Sequence, residues 1–449
     1  MEAVTQQGNS KFLKMTTEPV GKLVVSLAIP SIMIMLISGL YNMADTYFVG
    51  RLGTSAVGAV GIAFPLMAVI QALGFFFGQG SGNYISRELG AQRIENASKM
   101  AATGLFSGII FMVFISAGGL FLLSPLCRAL GATDTILPYA EQYIFFILIG
   151  GPVMVGSLVI NQQLRFQGSA FYAMIGMTSG AVINIFLDPL LIYGFDMGVK
   201  GAALATIISQ SISFVILLIG CRFKDNIRIH PKNFSPGLAN YRDIFRGGIP
   251  ALLRQSLMSV ATIIINHFAG TWGDEAIAAI SITNRVCMFA ASAMLGFGQG
   301  FQPVCGFNYG AKRYDRVKKA FWFCVRLAAG TLFVIAIVMA VFAPQIIALF
   351  RRDDPEVIRI GTLSLRLQCI SIPVSAWVVM NNMMTQTIGK SFEASILSMS
   401  RQGIFLIPAI FILVPLLGLL GIQLCMPVAD ILSFFLAIPI SAKILREMK

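Results

Sequence analysis

Asn184 and Asp188 stand four residues apart inside Ala181–Gly194, an otherwise apolar run (AVINIFLDPLLIYG). On a helix that spacing stacks both side chains on one face, a turn apart. Pro189 follows the acid, removes a backbone donor and loosens the helix beside it. A carboxylate inside a long hydrophobic segment costs roughly 2.5–3.5 kcal/mol on insertion scales, so a charge kept there is expected to be used. A second acid, Asp45, lies late in the first apolar run, in Tyr41-Asn42-Met43-Ala44-Asp45. Two carboxylates sharing a low-dielectric cavity repel, which favours a proton or a bound cation between them. Asn184 offers an amide oxygen, and hydroxyls such as that of Thr206 could complete an oxygen cage for Na⁺. The competing reading has Asp45 capping locally and Asp188 satisfying a kinked backbone; the rule that intramembrane acids are functional by default favours the first.

The elements that must position these residues are membrane helices. The chain has 449 residues, of which 56% are hydrophobic and only 12% charged. Soluble domains carry about 25% charged residues, so this composition marks an integral membrane protein. The net charge of +13 then reflects basic loops on one side of a membrane, and no nucleic-acid partner is expected. Seven scattered cysteines without a CxxC give neither a disulfide framework nor a zinc site. The polar stretch 1–19 is not a cleavable signal peptide.

Runs of about 20 apolar residues, enough to span a bilayer, lie near 24–48, 57–80, 100–123, 139–162, 170–194 and 201–221. A second set lies near 244–270, 276–300, 320–343, 358–384, 395–417 and 419–442. The sequence therefore predicts an all-α membrane protein of twelve transmembrane helices. An N-terminal lobe would cover 1–221, a cytoplasmic linker 222–243 and a C-terminal lobe 244–449. With both ends inside, most of the 33 lysines and arginines fall on the inner side, Lys224 and Lys449 among them, and both termini are expected in the cytoplasm. Arg51, Arg128, Lys200, Arg351, Arg352 and Arg359 remain outside, mixed with acids such as Asp353.

A shift of 220 lays 28–93 on 248–313 without a gap. Ile29-Pro30 meets Ile249-Pro250, Phe48 meets Phe268, and Gly53 meets Gly273. Gly78-Gln79-Gly80 meets Gly298-Gln299-Gly300, and Gly198 and Gly201 meet Gly418 and Gly421. Six spans per repeat enter the membrane in the same sense, so the two six-helix bundles are related by a pseudo-twofold along the membrane normal. Such parallel repeats are a transporter design. The acids do not repeat: Ile265 stands opposite Asp45, and apolar Pro408–Ile410 opposite Asp188. Ion coupling is therefore assigned to the first half.

Other candidates are weaker. Asp430, mid-span in the twelfth helix, could pair with Arg254, Arg366 or Arg401. Pro30 is a bend candidate in the first helix. Gly78-Gln79-Gly80-Ser81-Gly82 fits close helix packing or a flexible turn better than a nucleotide loop. No P-loop is present, since Met384 stands where the first glycine before Gly389-Lys390-Ser391 would be. No cofactor is expected, and energy would come from an ion gradient.

Ala28-Ile29-Pro30 with Asp45, the Gly-Gln-Gly segments, Asn184-Ile-Phe-Leu-Asp188-Pro189 and the 6+6 repeat together resemble the multidrug and toxic compound extrusion (MATE) transporters across nearly the whole chain. The resemblance is to the DinF-like branch and, within it, to MepA-type bacterial multidrug exporters. It implies a cation or proton site at Asp45, Asn184, Asp188 and Thr206, with Tyr143, Asn161 and Asn42 supporting the same N-lobe cavity. The other branch of the family uses acids on helices 7, 8 and 10, where this chain offers His267, Arg285 and Asn381, so a C-lobe Na⁺ site is not expected.

The expectation is thus a secondary antiporter and not an enzyme. It would sit in the bacterial inner membrane and act as a monomer, exchanging entering H⁺ or Na⁺ for amphipathic, often cationic organic compounds by alternating access. One rival is a lipid-linked saccharide flippase of the same superfamily, which Arg254, Arg285 and Arg366 would serve by holding pyrophosphate. The other, an intramembrane aspartyl protease using Asp45 and Asp188, lacks a GxGD-type helix. Asp45→Asn or Asp188→Asn should abolish transport in vesicles while expression is unchanged; retained transport by either variant would remove that acid from the mechanism.

Overall fold

The computed structural model describes residues 2–223, 226–351 and 354–448. Residues 1, 224, 225, 352, 353 and 449, and the side chains of 2–9, 42, 46 and 54, lie outside the described residues. Lys224, Arg352, Asp353 and Lys449 of the topology reading, and the Asn42 side chain, are therefore among those outside it.

Twelve helices are long and apolar enough to cross a bilayer. They are Val20–Gly50 (α1), Ser55–Gly90 (α2), Ile94–Phe121 (α3), Leu137–Phe166 (α4), Ala170–Gly194 (α5) and Gly198–Gly220 (α6). The second six are Leu238–Trp272 (α7), Asp274–Gly310 (α8), Tyr314–Val341 (α9), Pro355–Thr387 (α10), Ser391–Leu417 (α11) and Leu419–Glu447 (α12). Among the described residues there is no strand. Two features extend the sequence reading. The polar stretch at the start forms a helix, Glu2–Thr17. And α2 and α8 run on through the Gly-Gln-Gly segments to Gly90 and Gly310 instead of stopping there.

Those glycines are packing surfaces. On α2, Gly74, Gly78 and Gly82 form a row four residues apart that faces Leu158, Gln162 and Phe166, a matching row on α4. A Cβ at Gly74 would lie 2.6 Å from Leu158 Cβ, and one at Gly78 2.8 Å from Gln162 Cγ. Small residues at this spacing let membrane helices approach closely where apolar burial alone gives no drive to associate.

Compactness divides the chain into two units: Met1–Thr17 with Met33–Gly248, and Glu18–Ile32 with Ile249–Lys449. The division differs from the sequence expectation of lobes at 1–221 and 244–449. The first part of α1 belongs with the second unit and the first part of α7 with the first. The glycines give the reason. A Cβ on Gly300 of α8 would lie 2.6 Å from Ala28 N and 2.8 Å from Val24 O, so the start of α1 lies against α8. In the first unit Gly80 of α2 abuts Ile244 O of α7, the repeat equivalent of Val24. The chain leaves its unit at 32/33 and at 248/249, next to Pro30 and Pro250, where each helix loses a backbone hydrogen bond.

Backbone detail repeats as well. Gly53 and Gly273 take φ of 112° and 94°, and Gly198 and Gly418 take 54° and 61°, left-handed values that a side chain would resist. At Gly201 an added Cβ would sit 2.7 Å from Leu191 O, and Gly421 meets Leu413 O in the same way. The two units thus share one frame down to the residues where backbones touch. Replacing Gly80 with Ala should lower stability by about 1–3 kcal/mol. Gly61→Ala, on the same helix with open space beside it, should be neutral or raise stability by up to about 1 kcal/mol. Thermal unfolding of the purified variants in detergent checks both, and equal behaviour would deny the close packing at Gly80.

Candidate ion-coupling site

The first unit brings Asp45 and Asp188 together. Asp45 is carried by the last turns of α1 and Asp188 by the end of the regular part of α5. Pro189 follows Asp188, and the helix then widens into a π turn over Leu190–Gly194. Single π turns appear often at functional sites, because the extra residue redirects backbone and side chains. The turn is held in place: Tyr193 donates to Phe48 O at 2.6 Å, tying α5 to the end of α1, and Gly201 of α6 lies under Leu191.

Asp188 is fully buried and Asp45 partly so. The two carboxylates are close enough to repel one another electrostatically, and among the described residues no basic side chain acts on either. Asp45 Oδ1 and Asp188 Oδ1 are buried without a hydrogen-bond partner. What distinguishes these two is that both belong to acids close enough to repel, an arrangement that suits a positive species.

The surrounding groups are arranged on Asp188. With its amide turned so that nitrogen faces the acid, Asn184 donates to Asp188 Oδ2 at 2.9 Å, and its oxygen accepts from the Thr206 N–H at 3.3 Å. Thr206 Oγ1 donates to Ala202 O at 3.1 Å and also bonds the Tyr41 side chain. Tyr143, nearly fully buried on α4, feels the charges of Asp45 and Asp188 as well as Tyr41. Two acids, one amide, one threonine and two tyrosines thus form a single cluster.

Among the residues expected from sequence, Asp45, Asn184, Asp188, Thr206 and Tyr143 meet here. Asn161 does not. Its amide donates to Ala173 O at 3.3 Å, near the start of α5, and eighteen positions of α4 separate it from Tyr143. At 1.5 Å per residue that is about 27 Å, so Asn161 sits apart from the cluster. Pro30 belongs to the part of α1 that packs in the second unit. Tyr41 was missed, although its position four residues before Asp45 places both on one helix face.

The remaining candidates separate cleanly. Asp430 pairs with Arg401, not with Arg254 or Arg366. Arg366 donates to Ala340 O at 3.2 Å, and Arg285 is exposed.

Comparison with known proteins agrees with this geometry. The family model MatE matches residues 30–190 and 250–412, one match in each half. The chain is 30% identical over 418 residues to a multidrug export protein MepA of Staphylococcus haemolyticus, covering 93% of this chain and 92% of the relative. Among solved structures, an outward-facing multidrug resistance MATE family transporter of the MOP superfamily superposes with a TM-score of 0.91 at 28% identity, covering 97% of this chain and 98% of that one. A MOP superfamily transporter from Pyrococcus furiosus, for which a reversed polarity of the binding pocket was taken to suggest a different function, superposes with a TM-score of 0.90 at 28% identity over the same shares. The duplicated twelve-helix frame is that of a membrane transporter and not an enzyme, and the chain belongs to the MatE family.

Proposed function

We propose that this protein is a secondary antiporter that exports amphipathic, often cationic organic compounds in exchange for a small cation, H⁺ or Na⁺, taken up at Asp45 and Asp188. The observation that carries the reading is the pair of buried carboxylate oxygens, one on each acid, with neither a hydrogen-bond donor nor a basic neighbour among the described residues. The names of the relatives, exporters of many drugs, support the same direction of transport. The excess of basic residues in one set of loops supports both termini in the cytoplasm, the bacterial relatives support a bacterial cell (inner) membrane, and the monomer is taken as the working unit.

The acids can take up a proton. The Asn184 oxygen accepts from the Thr206 N–H, and the Thr206 hydroxyl donates to Ala202 O; both oxygens keep lone pairs, so they also remain open to a metal cation. Two acids can share one proton as a coupled pair. Asn184 suits such a pair, because an amide is nearly symmetric in shape and opposite in polarity at its two ends. Nitrogen toward Asp188, it stabilises the charged acid. Turned over, its oxygen accepts from the protonated one. Charge at the pair is thereby converted into a side-chain position between α5 and α6.

Coupling follows if the loaded and empty pair favour different conformations of the transporter, since a ligand shifts an equilibrium only by its differential affinity for the two states. A neutralised pair repels no organic anion and holds no organic cation; an emptied pair is a buried double negative that needs a counter-charge. Organic cation and proton therefore exclude one another.

Two outcomes are expected. Asn184→Leu keeps the volume and removes the amide; losing a hydrogen bond to a charged group, worth about 1.5–3 kcal/mol, should slow transport by at least about tenfold in protein that still folds and inserts. Transport within twofold of the parent would deny Asn184 its role. In proteoliposomes loaded with ethidium, an imposed pH gradient should drive efflux in the absence of Na⁺. Efflux under a Na⁺ gradient alone would make Na⁺ the coupling ion, and efflux under neither would reject the antiporter.

A further inference from the structure

The second unit holds a buried acid of its own, and that acid is already matched. Asp430 of α12 is 2% exposed. Ser371 of α10 donates to its Oδ2 at 3.0 Å. Arg401 of α11 donates through Nε to Oδ1 at 2.5 Å and through Nη2 to Oδ2 at 3.4 Å. Arg401 lies inside a π turn, Ser400–Ile404, and Cys287 of α8 stands beside the pair, with Cys369 of α10 next to that thiol.

The shared frame does not require this pair. At the equivalent positions the first unit carries Gly150 for Ser371, Gly180 for Arg401 and Gln210 for Asp430, and it folds with the same glycine contacts. Nor is the pair needed for stability on general grounds, since apolar residues of similar volume replace buried ion pairs at no loss or with a gain. Its two ends also differ. The Asp430 side chain is 3% exposed and pinned by Ser371, whereas the Arg401 side chain is 24% exposed and rooted in a π turn. If the pair opens, the acid stays and the arginine moves. The vacated carboxylate would then be an unmatched buried charge that needs another cation.

We propose that Asp430 is a recognition site for organic cations, which Arg401 occupies as a tethered stand-in until such a cation displaces it. The inference rests on the exporter reading above and names the substrate chemistry of the second unit. A guanidinium is a flat, delocalised, weakly hydrated cation, so what replaces it is an organic cation of the same character, such as a quaternary or aromatic iminium compound. The thiol of Cys287, with that of Cys369 next to it, adds soft, polarisable surface there. A zwitterion or neutral compound cannot substitute for the arginine charge and does not use this acid.

The full-length protein in detergent, with ethidium as the cationic probe and norfloxacin as the zwitterionic one, tests this by equilibrium binding. Asp430→Asn should weaken ethidium by about tenfold and leave norfloxacin unchanged. Arg401→Gln, which removes the internal competitor, should tighten ethidium. If a lone buried charge prevents either variant from folding, the doubly neutral Arg401→Gln/Asp430→Asn protein buries none and should bind norfloxacin normally and ethidium weakly. Equal losses for both probes, or unchanged ethidium binding in Asp430→Asn or the double variant, would make the pair a structural tie and overturn the proposal. Failure of the exporter reading shows separately: Asp188→Asn should stop transport of both probes while ethidium still binds, and continued transport there would sink that reading without touching the binding result.

Discussion

The structure turns on negative charge held in a low-dielectric interior without a partner. Asp45 and Asp188 lie close enough to repel one another, and among the described residues no basic side chain offsets them. Left as two anions they would cost several kcal/mol of desolvation and repulsion. The neighbouring groups ease only one of them: Asn184 serves Asp188, while the Thr206 hydroxyl donates to Ala202 O and the Thr206 N–H to the Asn184 oxygen. The remaining deficit is what a mobile cation can satisfy, and satisfying it changes hydrogen bonding among α1, α5 and α6. A site that was fully matched could not respond to loading in this way.

The two units set matched and unmatched charge side by side on one frame. Glycines at equivalent positions fix the close approaches, the left-handed turns and the lean of α1 and α7 on their glycine rows. On that frame both α5 and α11 break into a π turn, and in both units a buried acid lies close by. In the first unit the acid meets another acid; in the second it meets an arginine from the turn itself. Duplication supplied the scaffold, and divergence at a handful of positions such as Gly180 against Arg401 and Gln210 against Asp430 supplied two chemistries.

Much of this was legible in the chain. The spans stand out because continuous apolar runs have few other uses, and the repeat stands out because its glycines serve backbone contacts that tolerate no substitute. The acids were visible because they break hydrophobic runs. What escaped were consequences of contacts distant in sequence. Nothing local to Val24–Ala28 says that it packs on Gly300, so the exchange of helix starts between units could not be read. Asn161 was placed by likeness and not by spacing, and the length of α4 carries it away from Tyr143. Tyr41 could have been found from its four-residue spacing to Asp45. The π turns could not, since a wider helical turn leaves no mark beyond Pro189 in one case and none in the other.

The central claim is that binding of an organic cation and loading of a small cation on the buried pair Asp45 and Asp188 exclude one another. The most direct measurement is proton release: ethidium is added to the purified protein in weakly buffered detergent solution and the pH is followed with an indicator dye. The account predicts release of up to about one proton per protein from the coupled pair, and none from the Asp45→Asn/Asp188→Asn protein at matched ethidium saturation. Binding of ethidium with no proton released at any pH, or equal release from both proteins, would contradict it.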